Sequence, residues 1–211
     1  AAVLNCLRFI PDKTMLRIQY WIKTGRTLNL KNPKRYTEKL QWYKLYYRNP
    51  VMHQCVHKYE VRDYVAKKGL QDILVDSYGH FRSVDEIDWE KLPDSFVLKT
   101  TNGGGGLRVV LCHDKSTLNI DEVKQQLPVR KAKTHSGGRE WAYYGLQPGI
   151  IAEQLLVNRE NPEAGVNDYK IFCYRGKPKY IIVDVDRYVE HKRNFYDTDS
   201  DSDRCCKSGD I

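Results

Sequence analysis

Four consecutive glycines, Gly103–Gly106, separate two apolar runs, and a lysine stands near the end of the first. The stretch over 96–110 reads FVLKTTNGGGGLRVV, with the lysine at Lys99. Bare backbone lets successive N–H groups approach oxygen anions closely, and a lysine ammonium is a compact point charge suited to a phosphate. An isolated glycine run is more often a flexible hairpin tip, but the flanks restrict the alternatives here. A Walker loop needs Gly-Lys-Ser/Thr and then a helix, and a dinucleotide-binding turn also runs from glycines into a helix. The exit Leu107-Arg108-Val109-Val110 is β-rich instead. What remains is strand, glycine loop, strand: a β-hairpin flap able to fold over the phosphates of a nucleotide.

Further candidates lie toward the C-terminus. Tyr169–Tyr174 and Lys179–Arg187 alternate as strands and are joined by Arg175-Gly176-Lys177-Pro178, which predicts a hairpin. Period two places Asp168 and Lys170 on one face of the first strand, and Asp184 and Asp186 on one face of the second. Whether the two faces coincide depends on register, which sequence does not fix. Asp184, Asp186 and Arg187 suit either acceptor binding or a salt-bridged structural role. The six histidines are dispersed along the chain and the six cysteines contain no Cys-x-x-Cys, so neither a metal site nor Ser–His catalysis is expected. No side chain stands out as a covalent nucleophile, and the catalytic residues stay unassigned.

The elements that must position these groups are legible in outline. The first sixty residues read as helical and aromatic-rich. In TEKLQWYKLYYRNP, Leu40, Tyr43 and Tyr47 recur at helical spacing, with Trp42, Leu45 and Tyr46 beside them, which predicts a packed helix ending at Asn49-Pro50. A second helix is expected over about Lys58–Lys68, stopped by Gly69. Ser83 and Asn119 occupy cap positions before short helical stretches, and the second of these ends at Pro128. A polar loop over 129–140 has Ser136-Gly137-Gly138 as its expected mobile tip, and a β-rich run follows over 149–157. The expected organisation is a helix-rich region over 1–92, a β-rich lid with the glycine loop over 93–157, the start of a larger sheet subdomain over 158–197, and a disordered tail over 198–211.

Composition narrows the classes. The chain of 211 residues is 41% hydrophobic and 29% charged, as globular proteins are, and carries a formal net charge of +8. That surplus suits polyanionic partners: nucleotides, nucleic acid, acidic polysaccharide or an anionic membrane face. No apolar run approaches the roughly 18 residues of a membrane span. The start has no signal-peptide pattern, and the absence of an initiator Met suits a chain that begins inside a longer one. Scattered cysteines suit reduced thiols and a cytoplasmic location.

The order Lys58, VLKTTNGGGGLRVV, IIAEQLL, DYKIFC resembles the ATP-grasp fold. The longer runs LNLKNPKRYTEKLQWYKLYYRNP, HKYEVRDYV, EIDWEKLPDSFVLKTTNGGGG, GREWAYYGLQPGIIAEQLL and DYKIFCYRGKPKYIIVDVDRYVEHKRNFYD resemble its TupA-like branch over nearly the whole chain. The resemblance implies an α+β, ATP-grasp-like fold: a helical N-terminal part, a small β-rich lid, and the start of a larger antiparallel-sheet subdomain. It implies ATP and Mg as cofactors and a carboxylate-ligase chemistry through an acyl phosphate, in bacterial cell-surface polysaccharide or teichuronopeptide synthesis. Relatives are also labelled glycosyltransferases. An acidic or sugar-containing acceptor is implied as partner, with no nucleic acid and with peripheral contact to the inner membrane face.

Residue by residue, the resemblance implies Lys58 and Lys99 on the phosphates and Gly103, Gly104, Gly105 and Gly106 as the flap. The backbone of Glu153 and Leu155 would meet the adenine edge, and Asp168 and Lys170 would line ribose and triphosphate. The branch also implies a later strand with an Asp and a Phe-Gly-Glu-Leu-Thr-like segment. Neither is found before Ile211, so its metal ligands are expected beyond this chain, which reads as C-terminally truncated and catalytically impaired. A non-catalytic basic binding module is the remaining alternative.

Overall fold

The computed structural model describes residues 7, 9–103, 108–129, 138–186 and 188–198. Gly104–Gly106, the expected loop tip at Ser136-Gly137, Arg187 and nearly all of the expected tail lie outside the described residues. The chain divides into two compact units, 1–155 and 156–211.

The first unit opens with helices α1 (Asp12–Thr24), α2 (Tyr36–Tyr46), α3 (Val51–Val56) and α4 (Glu60–Lys67). Helix α1 buries Met15, Leu16 and Tyr20, and ends at Gly25 in the left-handed conformation. Leu16 and Tyr20 pack with Leu28 and Leu30, and Leu45 of α2 closes this small core. The packed stripe expected on α2 is not found: Leu40, Trp42, Tyr43, Tyr46 and Tyr47 are exposed, and Glu38 is the buried residue. The rings cover one another instead, Trp42 on Tyr46 at 5.3 Å and Tyr43 on Tyr47 at 5.1 Å between centroids. Periodicity reported a helix correctly but not which face would be covered.

Four strands follow: β1 (Ser77–Phe81), β2 (Phe96–Thr100), β3 (Val109–Cys112) and β4 (Ile150–Glu153), in the order β1-β4-β2-β3, all antiparallel. Strand β1 comes from the stretch expected to be helix-rich. Gly149, just before β4, runs so close to its neighbour that a Cβ would lie 2.4 Å from His80 Nε2 and 2.8 Å from the Phe81 carbonyl oxygen. Glycine is required there by approach, not by turn geometry. Alternation then sets the two faces of the sheet. Phe96 and Leu98, Val110 and Cys112, and Ile150 and Ala152 point into one core, closed by Val123 and Leu127 of helix α5 (Ile120–Gln126) and its C-cap. The Asn119 side chain caps α5 by accepting from the amides of Asp121 and Glu122, as its position predicts. Ser83, by contrast, makes no side-chain cap bond; the Glu86 carboxylate takes the Arg82 amide at 2.7 Å.

The polar loop over 129–140 conceals one anchor. Arg139, whose side chain is 2% exposed, pairs with Asp12 at 2.9 Å and donates to the Leu7 carbonyl at 2.8 Å, tying the start of α1 to the unit. A guanidinium can be buried when its donors are satisfied in this way.

The second unit is a three-stranded antiparallel meander of β5 (Asp168–Tyr174), β6 (Lys177–Val185) and β7 (Lys192–Asp197). The expected hairpin is present, with a tighter loop. Arg175 at φ 52° and Gly176 at φ 77° form a two-residue turn whose twist matches the flanking strands.

Candidate functional site

The candidate site of the first unit grows from the face of the sheet opposite its core. Phe96, Leu98 and Thr100 point one way, so Val97 and Lys99 point the other. In β4 the same rule places Ile151 and Glu153 on that second face. Register pairs Val97 with Glu153 and Lys99 with Ile151, which makes Lys99 and Glu153 diagonal neighbours. Their side chains meet at 2.9 Å between Nζ and Oε2. Arg62 of α4 reaches the other oxygen of Glu153 at 3.2 Å and holds the Val75 carbonyl at 2.6 Å. The Glu153 side chain is 9% exposed, so it is a buried carboxylate between two cations.

Lys58 completes the cluster. The structure places it two residues before α4, in the connection from α3, not within the helix expected over 58–68. Its amide donates to the Thr101 carbonyl at 3.0 Å, and its ammonium donates to the Gly103 carbonyl. Thr101 is locked in turn: its amide donates to the Gly149 carbonyl and its hydroxyl accepts from the Gly149 amide, each at 2.9 Å. His57, buried beside Lys58, accepts from the Glu60 amide at Nδ1 and donates from Nε2 to the Gln147 carbonyl at 3.2 Å. The root of the glycine loop is therefore fixed from three sides.

Burial holds the Lys58 ammonium below the usual lysine range, the positive charge of Lys99 lowers it further, and Glu153 opposes both. Three cations, Lys58, Lys99 and Arg62, converge here. Among the described residues the single carboxylate paired within that group is Glu153. Such a cradle favours an anion of charge near −2 or more at the foot of a glycine loop. Gly103 is described at that foot; Gly104, Gly105 and Gly106 are not. Two residues past Glu153, half-buried Leu155 follows β4, and its backbone has no hydrogen-bond partner among the described residues. Arg62 escaped the sequence reading. Its spacing of four from Lys58 at a helix start was the available signal.

The second unit gathers a separate polar cluster. The β5–β6 register sets Asp168 opposite Asp184, and β6–β7 sets Asp184 opposite Arg193, so the faces left open by the sequence do coincide there. Asp184, 1% exposed, receives Arg193 at 2.6 and 3.0 Å, Lys170 at 2.8 Å and His191 at 3.0 Å. Lys170 also holds Asp168 at 2.5 Å. Arg193 above all, then Lys170, keep Asp184 far below the usual carboxylate range, and Asp168 and Asp184 raise Lys170. Asp186 does not share the strand face with Asp184. The strand ends at Val185, and Asp186 takes a left-handed φ of 52°. Asp184 thus has the salt-bridged role.

His57 and His80, far apart in sequence, come together edge to face at 5.8 Å, and Tyr59 stacks on His80 at 4.3 Å. Among the described residues no three His, Cys, Asp or Glu side chains form a metal-binding group. The space between Asp168 and Asp184 is taken by the Lys170 ammonium, and Arg193 and His191 hold the Asp184 oxygens besides, so the pair is already neutralised by cationic side chains.

Acid titration should expose the role of Asp184. Its folded pKa is depressed, so its stabilisation is complete above the unfolded carboxylate value of about 3.9 and is lost as pH falls through and below it. Thermal melts by circular dichroism should show a midpoint that drops steeply below about pH 4. Asp184→Asn should lower the neutral-pH midpoint by several degrees and flatten that acid limb.

The family model described as TupA-like ATPgrasp matches residues 38–207. The chain belongs to the TupA-like ATP-grasp family. The match spans the cradle, the glycine loop and the second sheet, and membership implies an ATP-binding protein of α+β fold. No curated protein and no solved structure matches the chain. Among the described residues no helix is long and apolar enough to cross a membrane.

Proposed function

We propose that this TupA-like ATP-grasp chain takes the triphosphate of ATP on Lys58, Lys99 and the glycine loop, with the Leu155 backbone reading the adenine edge. The observation that carries this reading is the charge imbalance at the loop root: Lys99 and Arg62 share one buried carboxylate, the Lys58 ammonium near them rests on the Gly103 carbonyl instead, and burial depresses Lys58. A phosphate resolves that imbalance, since it accepts from both ammoniums and restores the lysine's preference for its charged form. Glu153 holds Lys99 and Arg62 in place before the nucleotide arrives, which lowers the ordering cost of binding.

The reaction class follows the family. A carboxylate oxygen attacks the γ-phosphorus of ATP, ADP leaves, and an amine or hydroxyl then attacks the acyl carbon and releases phosphate. The setting is assembly of a cell-surface polysaccharide or teichuronopeptide in the bacterial cytoplasm. Mg accompanies ATP in such chemistry and supplies charge neutralisation at the phosphates; among the described residues no three His, Cys, Asp or Glu side chains form a metal-binding group, and Glu153 is already held by Lys99 and Arg62.

Thermal-shift titration separates the readings. ATP should raise the unfolding midpoint in proportion to the logarithm of its concentration, whereas a UDP-sugar or heparin should raise it little. Stabilisation by the UDP-sugar alone would favour a glycosyltransferase. Salt-sensitive stabilisation by heparin that survives Lys99→Ala would favour a basic binding module.

A further inference from the structure

Helix α1 is apolar on two sides. Leu16 and Tyr20 pack into the small core and Met15 is buried as well, while Ile18, Trp21 and Ile22 are 41%, 61% and 69% exposed. Their spacing of i, i+3 and i+4 makes one continuous stripe, bordered by exposed Arg17 one turn before Trp21. A helix resting on a water-facing surface has no need of a second apolar stripe.

The charge around it is equally lopsided. Residues 9–50 hold ten Lys/Arg and two carboxylates, Asp12 and Glu38, a surplus of eight that equals the formal net charge of the whole chain, +8. Both carboxylates are spent internally. Asp12 pairs with Arg139 and accepts from Tyr144, while Glu38 accepts from the amides of Lys34 and Arg35. Among the described residues, Arg35 and Lys44 alone of the ten cations form ion pairs.

We infer that α1 docks this protein peripherally on an anionic lipid surface, with Ile18, Trp21 and Ile22 entering the headgroup–acyl boundary and the surrounding lysines and arginines held by lipid phosphates. Charge complementarity selects an anionic partner. The aliphatic stripe selects lipid over nucleic acid: Trp21 could stack on a base, but isoleucines gain nothing from bases or phosphates and gain from hydrocarbon. A tryptophan beside cations suits the interface between headgroup and chain. One short stripe binds weakly by itself, so the basic surplus has to supply the remaining attraction. The family match begins at residue 38, so α1 lies outside it, and the inference does not depend on the ATP reading.

The test is co-sedimentation of the full chain, without nucleotide, with vesicles of phosphatidylcholine alone or with 30% phosphatidylglycerol. Binding should require phosphatidylglycerol, fall as sodium chloride rises from about 0.1 to 0.5 M, and weaken about tenfold or more in Trp21→Ser/Ile22→Ser. Trp21→Phe/Ile22→Leu should keep it. Circular dichroism should show both variants folded, as expected for exposed positions. Three results would overturn the inference: no binding to the anionic vesicles, equal binding by the serine variant, or a parent dimeric in sedimentation equilibrium that turns monomeric in the serine variant. The last would assign the stripe to a second copy of the chain.

Discussion

Lys58→Met is expected to weaken ATP binding by about 10- to 100-fold while leaving the empty protein as stable as the parent, or more so. The two halves have one cause. In the empty protein the Lys58 ammonium is partly desolvated and crowded by Lys99, so its charge is held against its preference. Removing that charge relieves repulsion, although the bond to the Gly103 carbonyl is lost. With ATP present the same charge is matched by phosphate, and a charge-assisted bond of about 1.5–3 kcal/mol is missing from the variant. Linkage gives a second readout. The folded pKa of Lys58 is depressed, so between it and the ordinary lysine range the unfolded chain carries more protons. Stability of the empty protein should therefore rise with pH across that window, and the rise should vanish in Lys58→Met. Calorimetric titration with ATP and alkaline melts measure the two halves. A variant that loses stability and affinity together would reduce Lys58 to a structural anchor.

Glu153→Gln should produce the largest loss of stability, about 2–4 kcal/mol. Its carboxylate is buried between Lys99 and Arg62, and an amide leaves both cations facing a neutral group that can accept from one of them at most. The Coulombic part matters more than the lost bonds, because three cations would then converge with no counter-charge. ATP supplies that counter-charge, so nucleotide should stabilise Glu153→Gln by more than it stabilises the parent. Denaturant unfolding with and without saturating ATP checks both statements. A cost below about 0.5 kcal/mol would mean that solvent screens the pair as it does at a surface.

What the sequence revealed follows the range of each signal. The hairpin over β5 and β6 was legible because alternation and the Arg175-Gly176 turn are local. The strand–glycine–strand motif was legible for the same reason. The meeting of Lys99 with Glu153 was not, since it depends on a pairing between strands more than fifty residues apart. Strand β1 escaped because Ser-Tyr-Gly-His-Phe has neither a β-branched residue nor clean alternation, and β4 recruits it through close approach at Gly149. Strand β7 escaped because Lys192-Arg193-Asn194 reads as a charged loop until Asp184 faces it. Helix α2 shows the converse limit: its period was right, while the burial inferred from aromatic content was not.

The proposed function places a triphosphate at the foot of the glycine loop. A crystal structure with a non-hydrolysable ATP analogue at saturating concentration tests it most directly. Phosphate oxygens should lie within hydrogen-bond distance, about 3 Å, of both the Lys58 and Lys99 ammoniums. An analogue bound elsewhere on the protein, with both lysines still on Gly103 and Glu153 alone, would contradict it.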